Sequence, residues 1–316
     1  APCLEAMGRC GQPPGPALSV DGEPGRPRTF SPGFSAVTLA VGDGRAYLGR
    51  KAGGLAVLDT TDPVRPRVVG TLEADWRSED LAAEGSVVVT ASGHEGLRVV
   101  DVADPTRPVE VAAFYTSGPQ VHRATLIGRH AHVARSSLEG HRGVEVVDLS
   151  EPASPRQVGA YASDLTVWDL ATSSGRSLVT GRTGERRTVF ELYDVSDPAQ
   201  PRPLGPVDLL TSSAAAASHV SLEWPHAGAV DYHELAVRDL SAGSGATRRL
   251  TGVHWPSLYG LALGDGFAYA GHAWARGYTV LRRMQPGDAD GPDLAYRRGG
   301  RGATSIEAGD GWAWAL

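Results

Sequence analysis

The chain of 316 residues is 41% hydrophobic and 21% charged, so it has the apolar content to bury a large core in one or two domains and too much to leave it disordered. A net charge of -6 and a pI near 5.9 argue against a surface built to collect phosphates, and nucleic acid is not an expected partner. No apolar run approaches the roughly 18 residues that a membrane span requires, so no transmembrane segment is expected either.

In chain order, the first feature is "APCLEAMGRCG", which holds Cys3 and Cys10, the only cysteines. An isolated pair flanked by Gly and Pro reads as a local disulfide in an N-terminal extension, residues 1–17. Thiols confined to that segment fit an exported protein whose secretion signal has already been removed. Next, "LSVDGEPGRPRTFSPG" (18–33) reads as a short strand ending in Asp21, a corner with Pro24 and Pro27, and a further strand.

The body of the chain then repeats. Strand-like runs ending in Asp recur as "LAVLD" (55–59), "LRVVD" (97–101), "VEVVD" (144–148), "FELYD" (190–194) and "LAVRD" (235–239), with terminal aspartates 42, 47, 46 and 45 residues apart. A divergent copy, "YTVLR" (278–282), has Arg282 in place of the Asp. The better-kept copies run into proline corners: "DPVRP" from Asp62, "DPTRP" from Asp104, "EPASP" from Glu151 and "DPAQP" from Asp197. Two prolines three residues apart exclude a helix and predict a stiff, extended corner, with the carboxylates as turn residues.

Upstream of each run, segments such as "LAVGDGRAYLG" (39–49) and "LALGDGFAYAG" (261–271) predict a β-hairpin, and a last run such as "RVVGTLE" (67–73) follows each corner. Four short antiparallel strands every 42 to 47 residues are the signature of a propeller blade. The expectation is an all-β, seven-bladed β-propeller over residues 18–316. Six blades would be contiguous, and one would be assembled from "ATSIEAGDGWAWAL" (303–316) and the strands before Gly33.

The phrases "GLAVLDTTDPVRPRVVG" (54–70) and "GLRVVDVADPTRPVEVA" (96–112) resemble the LVIVD repeat of bacterial and archaeal secreted and cell-surface propellers. The resemblance implies a propeller outside the cytoplasm, whether secreted, periplasmic or on the cell surface. It further implies a binding or scaffolding role toward a protein or carbohydrate partner at one face, and it carries no catalytic residues. The alternative is a metal-dependent hydrolase or lyase at the mouth of the central channel.

Side chains that open the innermost strands are the candidates for that mouth: Asp80, His122, Arg123, Trp168, Asp169, His219 and Glu223. Carboxylates and imidazoles there are able to hold a divalent cation, although no cofactor is firmly implied. In the loops between blades, Trp76, His254 and Trp255 are candidate binding residues, although aromatics at such positions in repeat proteins more often pack one blade on the next. "HAH" (130–132) with His141 has permissible metal-clamp spacing, and exposed strand histidines are the simpler reading. No nucleophile motif, zincin helix or phosphate loop is present.

Overall fold

The computed structural model describes residues 4–9, 28–62, 65–116, 120–135, 142–185, 187–210, 219–231, 234–241, 247–251, 258–264, 267–272, 277–282, 294–298, 306–309 and 312–315. In the first blade the strand Ala36–Gly42 pairs with Arg45–Arg50, which pairs with Leu55–Asp59, which pairs with Arg67–Leu72, all antiparallel. The same consecutive order recurs over residues 80–114, 121–161, 166–206 and 219–251.

The third strand of the first blade reads as an unbroken apolar run because both of its faces are covered. Leu55, Ala56, Val57 and Leu58 are all fully buried. Packing between blades supplies the cover: Tyr47, Leu55 and Val57 of the first blade share one cluster with Leu81, Val88 and Val100 of the second.

The Asp that ends this strand is a turn residue, as expected. Asp59 accepts from the Thr61 N–H at 3.0 Å. Asp101, Asp148, Asp194 and Asp239 accept in the same way from Ala103, Ser150, Ser196 and Ser241. Each such bond satisfies a backbone donor as the chain leaves the sheet. The proline corner that follows is a tight β-turn, which corrects the extended corner. The N–H of Arg107 reaches the carbonyl of Asp104 at 3.0 Å, Ser154 reaches Glu151 at 2.8 Å, and Gln200 reaches Asp197 at 3.1 Å. Proline at the second position fixes the φ that such a turn requires.

These corners seat on the preceding blade. A Cβ on Gly70 would lie 2.1 Å from the carbonyl oxygen of Pro105, and one on Gly159 would lie 2.2 Å from that of Pro198. Glycine in the fourth strand is therefore what lets the next corner approach.

The expected count of seven blades is corrected to five. Five units combine four strands with the terminal Asp latch. Beyond residue 251 the corresponding strand, Gly277–Arg282, ends in Arg282 in place of the Asp. There, Leu258–Gly264, Phe267–His272, Gly277–Arg282 and Leu294–Arg298 form one further sheet. Ile306–Gly309, Trp312–Ala315, Leu4–Arg9 and Arg28–Phe30 form another.

The strand that meets the C-terminal hairpin is Leu4–Arg9, upstream of the Leu18–Asp21 run expected to do so. Cys3 and Cys10 flank it and lie outside the described residues.

Candidate functional site: the central channel

The inner strands of the five blades surround a cavity of about 400 Å³, whose remaining wall includes Gly260, Leu261 and Glu307. Two rows of side chains belong to it. Thr38, Asp80, Arg123, Asp169, His219 and Gly260 directly precede the buried Leu39, Leu81, Ala124, Leu170, Val220 and Leu261. Two residues further along stand Ala40, Ala82, Thr125, Ala171, Ser221, Ala262 and Glu307. A strand repeats every two residues, so both rows share one face.

Asp169 is the hub of the first row. Its Oδ1 accepts from Arg123 Nε at 3.0 Å and from the Leu170 N–H at 3.0 Å. Its Oδ2 accepts from the Val220 N–H at 3.1 Å and lies 3.2 Å from His219 Nδ1. Burial acts to raise this carboxyl, but the Arg123 guanidinium, His219 and the Val220 N–H outweigh it and lower it to about 2.

Asp80 has a poorer set of partners. Its Oδ2 accepts one bond from the Ala124 N–H at 3.0 Å, across the seam to the next blade. Burial dominates here, opposed by Arg123, and pushes Asp80 up to about 6. Glu307 is pushed further, to about 8, by burial and by the negative charges of Asp80 and Asp169.

Of the expected mouth residues, Asp80, Arg123, Asp169 and His219 meet in the cavity on four successive blades. His122 and Trp168 stand next to that row without lining it. Burial, then the Arg123 charge, lowers the His122 imidazole. Glu223 ends its strand four residues beyond His219 and does not line the cavity. Trp76 is not displayed in a loop: it is 4% exposed, sits in the core between the first two blades and donates from Nε1 to Glu110 at 2.8 Å. His254 and Trp255 lie outside the described residues, as does His141.

The HAH pair makes no clamp. His132 is 1% exposed, with Nδ1 3.0 Å from the Tyr161 hydroxyl, which in turn meets Ser177 Oγ at 2.8 Å. Its simple reading as an exposed histidine is thereby corrected. His130 faces Asp148 at 3.9 Å. Among the described residues no group of three His, Cys, Asp or Glu is arranged to hold a metal ion.

Glu307 is the residue that sequence reasoning missed. Aligning the Gly-Asp-Gly turns places "IEAGDG" under "LALGDG" and "LAVGDG", which sets a glutamate among small residues.

The fold recurs widely among solved structures. A protein from Lactobacillus plantarum matches with a TM-score of 0.64 at 16% identity, covering 85% of this chain and 86% of that one. The β-propeller domain of Myceliophteria thermophila Cps50 (Swd1) matches at 0.62 and 13%, covering 89% and 96%. The computationally designed Ika8 protein matches at 0.59 and 11%, covering 90% and 96%. No curated protein matches. The model of the LVIVD repeat matches residues 77–116 and 128–163, the second blade and most of the third. The chain is thus a β-propeller that carries LVIVD repeats.

Proposed function

We infer that this propeller is a binding or scaffolding module that works outside the cytoplasm and engages a protein or carbohydrate partner through one of its faces. The observation that carries this reading is how the channel mouth spends its charged groups. Arg123 and His219 both serve Asp169, and Asp80 and Asp169 each take a backbone N–H from the following blade. Groups that a hydrolase would need free are bolts between blades, so the ring is a rigid platform, and the LVIVD repeat is the element that builds it. No helix among the described residues is long and apolar enough to cross a membrane.

The test is fractionation of the source cells with an antibody to this chain, followed by crosslinking on intact cells. Recovery in the extracellular, periplasmic or surface fraction with one reproducible crosslinked partner is expected. A strictly cytoplasmic chain, or one that crosslinks to nothing, overturns the reading.

A further inference from the structure

Six of the seven positions in the second row of the cavity carry Ala, Ser or Thr, and the seventh is Glu307. The small residues leave the space open, and the glutamate is the only ionisable group at that level. The charged groups facing it are Asp80 and Glu79 of the second blade, Arg123 of the third, Asp169 of the fourth and His219 of the fifth. The strands Ala36–Gly42 and Leu258–Gly264 contribute none.

The one guanidinium is already committed, with Nε on Asp169 and Nη1 on the His122 carbonyl. Asp80 is held by backbone N–H groups, Ala124 among them, and not by a basic side-chain hydrogen bond, and Glu307 has no basic partner among the described residues. Carboxyl groups therefore outnumber basic groups in this half-open cavity, and the surplus includes Asp80 and Glu307.

We propose that the central channel binds a small organic cation, an alkylammonium or guanidinium group held between Glu307 and Asp80 above the floor of small residues. Such a group supplies the missing charge together with N–H donors for acceptors that the fold leaves open. The cavity of about 400 Å³ is of small-molecule size and far larger than a bare metal ion fills. No described trio of ligands is arranged for a metal. Because Glu307 sits at about 8, uptake of a cation at neutral pH expels a proton from it.

This inference stands apart from face binding: a channel that takes no cation leaves the platform reading intact, and the reverse also holds. The experiment is calorimetric titration of the full chain with agmatine and with putrescine, with calcium and magnesium chloride as controls. Affinity should rise up to about tenfold per pH unit as the pH approaches 8 and level off above it. Glu307→Gln should fold, weaken binding by about tenfold or more and flatten the pH dependence. Asp80→Asn carries the same test if Glu307→Gln does not fold. Absence of binding by either amine, binding indifferent to these substitutions, or a site filled by calcium or magnesium that agmatine does not displace would overturn the proposal.

Discussion

Aspartates at the rim and aspartates at the channel do the same job under opposite conditions. At the rim, Asp194 accepts from Ser196 two residues away, in solvent, and the same bond recurs in five blades. At the channel, Asp169 accepts from Val220, 51 residues away, in a site where it is 7% exposed. The rim bond is a local turn device that any copy of the repeat can carry, whereas the channel bond is a seam between two particular blades. Low dielectric and burial make the seam matter more, because a partner left behind there has no water to turn to.

The sharpest way to break this contrast is Asp169→Ala. It removes an ion pair from the partly buried Arg123 and the acceptor of the Val220 N–H, and should cost about 2–4 kcal/mol in urea unfolding; a loss similar to that of a rim aspartate would show the two kinds of aspartate to be equivalent.

Acid provides the next largest effect. Burial, with a smaller push from His130, lowers His132 to about 4, so the fold keeps the ring neutral. Its contribution is whole above pH 6.5 and is lost as the pH falls through 4, which amounts to about 3 kcal/mol. Asp80 has the opposite sign: raised from 3.8 to about 6, its contribution is whole below 3.8 and is lost as the pH rises through 6. Glu307 extends that second trend toward pH 8. The two trends partly cancel in the parent protein. Thermal unfolding against pH should therefore show a steeper acid loss for Asp80→Asn and a shallower one for His132→Asn, and identical slopes would refute the assignment.

Rim packing should follow. Gly159→Val drives a Cβ toward the Pro198 carbonyl and should cost about 1–3 kcal/mol. The smallest effect belongs to Asp194→Ala, which removes exposed turn bonds and should cost at most about 1 kcal/mol, read in the same denaturation series.

What was legible in the sequence follows from this division. The latch and the proline corner are local and recur every 42 to 47 residues, so they show in the residues themselves. Asp80, Arg123, Asp169 and His219 were also reachable, because strand period alone places them in one row. Of the two roles open to Trp76, inter-blade packing is the one it plays, and Glu110, which takes its indole N–H, lies 34 residues away on the outer strand of the next blade. His132 was misread because its partners Tyr161 and Ser177 come from later in the chain. The strand Leu4–Arg9 carries neither a latch nor a corner, whereas the run at Leu18 has both Asp21 and the prolines at 24 and 27, so the local signal pointed to the wrong run.

The contact between a proline corner and a glycine works as a plug and a socket. Gly70 and Gly159 are open sockets, filled by the corners at Pro105 and Pro198. The same position in the second blade is Ala112, opposite Val99 as Gly70 is opposite Val57 and Gly159 is opposite Val146. A methyl group there denies entry to a corner that approaches as closely as Pro105 does, so the third blade must meet the second differently. Blades that read alike in sequence are consequently not interchangeable. A duplication or swap that sets the second blade ahead of the fourth would jam a close-fitting plug against a socket that is shut.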